Sequence, residues 1–185
     1  MQRRQVLITV PSLLLAATAR AEADKTAKQS EIRQKAMQTL QDFYKSDASL
    51  KDEVSKAAGF AVFTTYGLSF GLGGAGGKGL AHDNKSKKDT FMNVGQASAG
   101  LQIGASDTRY LFIFQDAKSL SDFIEHGWEA SANASAGAGT GTSAANAGAG
   151  GGNVSGGKMF ALTKAGLQAG GAVGGLKAWK DKDLN

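Results

Sequence analysis

Glycine placement governs what this chain can fold into. The sequence holds 26 glycines and one proline in 185 residues, roughly twice the usual glycine share. Many of those glycines interrupt segments that otherwise read as strands. Phe60-Ala-Val-Phe-Thr-Thr-Tyr66 is aromatic and β-branched, the composition of a pleated, buried strand. Residues 68–72 and 78–81 are expected as further strands, joined through glycine-rich bends. The polar run from Asp83 to Lys88 reads as a turn, and residues 90–94 return from it. Residues 97–103 and 110–114 follow as strands, separated by a turn at Ser106-Asp107. Residues 159–164 and 166–179 close the chain as two more strands. A strand that carries glycine must bend hard or let another backbone approach closely. The expected fold class is therefore α+β: a strongly curved antiparallel sheet, closed or nearly closed into a barrel-like body, with two or three helices packed on it.

The helices have their own signature. Ile32, Ala36, Leu40, Phe43 and Tyr44 recur at spacings that put them on one face of a helix over residues 31–45. A second helix is expected over residues 48–58, with Leu50 and Val54 as its buried stripe, Asp47 or Ser49 as its cap and Gly59 at its end. A third begins at Asp116, buries Leu120, Phe123 and Ile124, and stops at Gly127. Residues 130–157 contain no charge and 18 Ala or Gly out of 28. Their first part alternates Ala130, Ala132, Ala134, Ala136 and Ala138 with Ser, Asn and Gly, a period of two that predicts a strand to about residue 139. A loop through about residue 152 then follows.

The N-terminus reads as an export signal over residues 1–21, with the mature chain as residues 22–185. Arg3 and Arg4 form a basic start, residues 6–17 a short apolar stretch, and Ala19-Arg20-Ala21 a small-x-small cleavage site. Arg3-Arg4-Gln5-Val6-Leu7 also resembles a twin-arginine signal. The apolar stretch is too short to span a bilayer, and Pro11 interrupts it as a helix. A periplasmic, envelope-associated or secreted location is expected.

Charge and composition exclude much. Residues 1–21 hold three arginines and no acid, so their removal leaves 18 basic against 16 acidic residues. That balance excludes electrostatic capture of nucleic acid. With no cysteine there is no disulfide, thiol nucleophile or thiolate metal site. His82 and His126 have no partners at metal-ligand spacing and read as surface histidines; no metal and no cofactor are expected. Gly67-x-Ser69-x-Gly71 fits the nucleophile elbow, but an elbow needs a helix directly after the serine, and the glycines that follow cannot supply it. Gly71-x-Gly73-x-x-Gly76 lacks the helix of a dinucleotide site. Residues 152–158 imitate a phosphate loop with Met159 where Ser or Thr is required. No catalytic residue is assigned, and no enzymatic activity is expected.

A run of motifs in order carries more weight than any one of these patterns. Lys56-Ala57-Ala58-Gly59-Phe60-Ala61-Val62-Phe63, the glycines from Gly71 to Gly79, and Gly95-x-x-x-x-Gly100-x-Gln102-x-Gly104 strongly resemble the SYLF domain. The likeness continues through Ala117-Lys118-Ser119-Leu120 and Lys164-Ala165-Gly166-Leu167-x-Ala169-Gly170, and ends at Asp183-Leu184-Asn185. It covers about residues 36–185. The resemblance implies binding of anionic lipids, with phosphoinositides favoured by eukaryotic members, an amphipathic N-terminal helix that aids membrane contact, and no enzymatic activity. Family members often carry Arg before the glycine bend; here the basic group is displaced to Lys78. Actin, a partner of some members, would be met only if the protein reached a host cell.

The residues suggest how anionic phospholipids would be held. Lys51 and Lys56 lie in the second helix, and Lys78, Lys85, Lys87 and Lys88 flank the first glycine-rich hairpin. Ammonium groups near a charged bilayer contribute about 1 kcal/mol each. Ile32, Leu40, Phe43 and Tyr44 form the stripe that either packs on the sheet or faces a membrane. The expected function is non-enzymatic lipid binding outside the cytoplasm. The alternative is a structural or adhesive envelope protein whose Gly/Ala-rich strands self-associate.

Overall fold

The computed structural model describes residues 12–130, 152–154, 156–163, 166–169 and 175–185. Three helices pack with a seven-stranded antiparallel sheet curled into a half-barrel, an α+β fold. The strand expected over residues 131–139 and the loop expected to follow it lie outside the described residues.

Helix α1 (Ser12–Ser46) is far longer than the 15 residues that the apolar spacing marks out. It starts directly after Pro11 and runs through the expected cleavage segment. Residues 22–30 carry no apolar stripe, but Ala, Lys, Gln and Glu are strong helix formers, and propagation from an anchored helix costs little. The anchored part begins at Ile32, which with Ala36, Leu40 and Phe43 is buried against the sheet. Thr39 and Thr64 share a hydrogen bond of 2.9 Å, and Arg109 Nη1 donates to Asp42 at 3.1 Å. Helix α2 (Ser49–Lys56) follows after Asp47, whose carboxylate accepts from Ser49 N and Oγ. It ends at Lys56, two residues short of expectation, because Ala57 is already extended.

The sheet departs most from expectation. Residues 59–83 form one strand, β1 (Gly59–Asp83), and residues 89–114 form another, β2 (Asp89–Phe114). They pair antiparallel from Gly59↔Phe114 to His82↔Asp89. The expected glycine-rich bends and the turn at Ser106-Asp107 are therefore strand, and only Asn84–Lys88 turns. The long ribbon folds over on itself instead. A Cβ on Gly59 would strike the carbonyl oxygen of His82, one on Gly79 that of Val62, and one on Gly77 that of Thr64. As one residue of each pair advances, the other retreats by an equal step, so the two halves of β1 lie antiparallel in backbone contact. The pairing of β1 with β2 slips at the midpoint of this fold, between Phe70 and Leu72. There Gly71 alone spans the gap on β1, while Gly100, Leu101 and Gln102 span it on β2. Extra residues on one strand of a pair are how a ribbon bends.

Helix α3 (Ala117–His126) is capped by Asp116, which accepts from Ser119 N at 2.8 Å, and stopped by Gly127 at φ 74. The remaining strands are β3 (Trp128–Ala130), β4 (Gly152–Val154), β5 (Gly157–Thr163), β6 (Gly166–Ala169) and β7 (Gly175–Lys180). Of the single closing strand expected over residues 166–179, the described residues form β6, which pairs with β5, and β7, which pairs with β2 and β3; residues 170–174 lie outside the described residues. Strand β2 is central: β1 lines one edge, while β5 and β7 share the other.

Alternation along the strands divides the core in two. Phe60, Val62, Leu111, Ile113, Phe160 and Leu162 point out beneath α1 and α2. Ala61, Phe63, Tyr110, Phe112, Phe114 and Met159 point into the curl, where Leu120 and Phe123 of α3 cover them. Burial inside the curl pushes the Tyr110 hydroxyl up to about 12, and it donates to Gln96 Oε1 at 2.8 Å. The chain end is a latch. Asn185 accepts from Phe91 N at 2.9 Å and donates to Phe91 O at 2.8 Å. Lys25 and Gln29 of α1 donate to the carbonyls of Asn185 and Leu184. Among the described residues, no helix is long and apolar enough to cross a membrane.

Candidate functional site

The polar run between β1 and β2 is a rigid platform. Asn84 Nδ2 donates to Val54 O at 2.7 Å and to Ala57 O at 2.9 Å, and Asn84 N donates to Ala58 O. The turn thereby satisfies carbonyls at the C-terminus of α2, which a helix leaves unpaired. Asp83 organises the turn from within, accepting from Lys85 N at 2.8 Å and from Ser86 N and Oγ. The Ser86 hydroxyl, then the Lys85 and Ser86 N–H groups, hold the Asp83 carboxyl below the usual carboxylate range. Lys87 adopts φ 58, the left-handed region.

This docking gathers Lys56 of α2 with Lys85, Lys87 and Lys88 of the turn, and Lys51 lies about 7.5 Å further back along α2 at 1.5 Å per residue. All five are exposed. None holds a carboxylate among the described residues, whereas Lys35, Lys158 and Lys177 each hold one at 2.8–3.0 Å. Lys78 does not belong to the group. It lies within β1, and its ammonium is bound to Asp181 Oδ2 at 2.5 Å and Asn93 Oδ1 at 3.1 Å. Burial works to raise the Asp181 carboxyl, but Lys78 and the N–H groups of Asp183 and Leu184 outweigh it and leave it lowered. Lys78 is a half-exposed pin for the C-terminal latch, its charge matched by Asp181.

The apolar stripe of α1 is spent on the core. Ile32, Leu40 and Phe43 are buried under the outer face of the sheet, and Tyr44 is half-buried, its hydroxyl pushed up by burial. A membrane-facing role for these residues is thus corrected: the sheet offers the same stripe a permanent apolar partner.

Two clefts flank α1. One, of about 310 Å³, lies toward its N-terminal half between Lys28, Lys35, Tyr66 and Lys78. Two of its three lysines are already paired, with Glu31 and Asp181. The other, of about 360 Å³, lies toward α2 and the lysine turn. Met37, Leu40, Tyr44, Val54, Phe60 and Leu80 form its walls, and Arg33, His82 and Asp89 its polar end. Arg33 Nε donates to Asp89 Oδ2 at 2.7 Å, and His82 Nδ1 lies 2.7 Å from Asp89 Oδ1. The Arg33 guanidinium also sits 4.9 Å above the Phe91 ring, and the His82 ring 5.2 Å from Phe60. His82 is therefore not the surface residue expected: its side chain is 22% exposed and carboxylate-bound. Sequence reasoning missed this cluster because Arg33 and Asp89 are 56 positions apart, and no local spacing announces the pair. His126 is exposed at the end of α3. Strand continues on both sides of Ser69, so the helix of a nucleophile elbow is not there. No group of three or more His, Asp or Glu side chains among the described residues is placed to hold a metal.

No family model matches the chain. Beta cell expansion factor A of Aeromonas veronii is 30% identical over 165 residues, a stretch that covers 86% of this chain and 60% of that relative. The chain thus spans about 60% of that relative's length.

Proposed function

We propose that this protein is an exported, non-enzymatic lipid-binding module of the SYLF type that docks on anionic membrane surfaces. The observation that carries the reading is a set of five exposed lysines, none holding a carboxylate among the described residues, on the turn and on the helix it is tied to. A surface held together by its own ion pairs offers little to a partner. Unpaired ammonium groups on a fixed backbone attract phosphate head groups at about 1 kcal/mol each, within a Debye length of about 8 Å at physiological salt. The docking is electrostatic and peripheral, because the apolar stripe of α1 is already buried.

Co-sedimentation with vesicles tests the reading. Anionic phosphatidylglycerol vesicles should pellet the protein at low salt, neutral phosphatidylcholine vesicles should not, and added salt should release it. The double variant Lys85→Glu/Lys88→Glu should abolish pelleting without changing the thermal midpoint by more than about 2 °C. Protein absent from both pellets at every salt concentration would end the proposal. Concentration-dependent oligomers without vesicle binding would favour the adhesive alternative.

A further inference from the structure

We propose that the cleft between α1, α2 and β1 is a binding site for a single medium-chain fatty acid, its carboxylate held by Arg33. The inference deepens the lipid-binding reading and rests on it for the class of ligand. It adjoins the lysine turn but uses different side chains, so the two can fail independently.

The cleft's size limits the occupant. About 360 Å³ is at the lower end of the ligand-cavity range of roughly 300–1,000 Å³. It suits one short acyl chain and excludes the paired chains of a phospholipid. Its walls are apolar over most of their length, and Met37 at the rim is 55% exposed, a large apolar side chain with nothing over it. The polar groups sit together at one end, as an amphiphile with one head group requires.

The head-group chemistry follows from which donors are used. Arg33 donates through Nε to Asp89, and its Nη groups have no partner among the described residues. A guanidinium has five N–H donors in a planar fork that matches a carboxylate. The His82 ring engages Asp89 through Nδ1, which keeps the ring proton there and makes Nε2 of the neutral ring an acceptor, so His82 steadies Asp89 rather than the ligand. Asp89 therefore orients Arg33 and leaves its Nη donors for a second acceptor. Asp89 also directly follows Lys88, so the polar end opens at the foot of the lysine turn, where the field favours an anion. A carboxylate satisfies the donors and the field together; an alcohol satisfies only the donors, and a quaternary ammonium neither.

Calorimetric titration of the full chain with decanoate, decanol and decyltrimethylammonium, each below its aggregation concentration, tests the site. Decanoate should bind saturably with one site per chain, decanol at least tenfold more weakly, and the ammonium compound not at all. Arg33→Gln should weaken decanoate at least tenfold and leave decanol unchanged. Met37→Glu, which puts a carboxylate at the open rim, should weaken both decanoate and decanol. Neither residue is buried, so both variants should fold, with unchanged thermal unfolding as the check. The absence of saturable decanoate binding, equal binding of decanol, or an unaffected Arg33→Gln variant would each overturn the proposal. Arg33→Gln should still pellet with anionic vesicles. Vesicle binding without decanoate binding would sink this inference alone, and decanoate binding without vesicle binding would sink the surface-docking reading alone.

Discussion

Gly79→Ala should be among the most damaging single-methyl additions this chain can receive. The new Cβ would overlap the Val62 carbonyl oxygen and come within 2.7 Å of a Phe63 ring carbon and 2.9 Å of Phe63 Cα. Two of those three obstacles are backbone, which cannot swing aside as a side-chain end can. The two halves of β1 must separate, and the separation spreads to Gly77 against Thr64 and Gly59 against His82. Overpacking against side chains costs about 1–3 kcal/mol. Against backbone we expect at least the upper limit, about 3 kcal/mol. For a chain of this size that is a fall of about 6–12 °C in thermal midpoint. Gly76 supplies the control. It lies three residues away in the same strand, is exposed, and has nothing within 4 Å of an added Cβ. Gly76→Ala should be neutral or slightly stabilising, since it only restricts the unfolded chain. Urea unfolding followed by circular dichroism reads both. Equal destabilisation by the two substitutions, or a Gly79→Ala variant within about 0.5 kcal/mol of the parent, would refute the folded-ribbon account.

Further outcomes follow from the latch, the turn and the inner core. Asn185→Ala removes both side-chain hydrogen bonds to the Phe91 backbone and should cost about 1–2 kcal/mol in urea unfolding. The Asp181 carboxyl is lowered in the fold. The stability it contributes is therefore present above the ordinary carboxylate pKa of 3.8 and lost as pH falls through the lower folded value; Asp181→Asn should remove that part of the acid limb of a stability-against-pH curve. Tyr110 has the opposite sign. Its hydroxyl is raised from 10.0 to about 12, so its contribution is complete below pH 10 and declines between there and 12. The loss is of the order of 3 kcal/mol, and Tyr110→Phe should flatten the alkaline limb. Lys87→Gly relieves a left-handed backbone and should raise stability by about 1 kcal/mol while weakening vesicle binding.

The legible and illegible parts of this fold differ in range. Phe60 and Val62 against Ala61 and Phe63 already divide into two faces in the sequence, and the structure assigns those faces to the outer and inner cores. Asp116 and Gly127 mark the ends of α3 because a cap acts on its own helix. The glycines between 71 and 79 misled for a physical reason. A glycine that permits a bend and one that admits a neighbouring backbone look the same locally, and the neighbour here, Val62 or Thr64, is more than ten positions away. The lysine turn was legible as polar sequence, but not that α2 would hold it through Asn84, or that Lys78 would leave the group for Asp181. The Arg33–Asp89–His82 cluster had no local signal.

Magnitudes decide how such a molecule can meet a bilayer. Ile32, Leu40 and Phe43 are each less than 8% exposed, and burying a large apolar side chain stabilises by about 1.5–3 kcal/mol. Lipid would restore burial to these three, but lifting α1 uncovers the outer sheet face they pack on, including Phe60, Val62, Leu111 and Ile113, to water at a comparable cost of roughly 5–9 kcal/mol, and breaks the hydrogen bonds of Thr39 and Asp42. Five surface lysines supply about 5 kcal/mol at low salt and less at physiological salt. Electrostatic attraction alone does not peel the helix from the sheet, so vesicle-bound protein should keep α1 seated. Amide exchange should then leave Leu40 and Phe43 as protected on anionic vesicles as in solution, while Lys85 to Lys88 slow. Loss of protection at Phe43 on vesicles would mean that the stripe enters the membrane, and the peripheral mode argued from the lysine turn would be wrong.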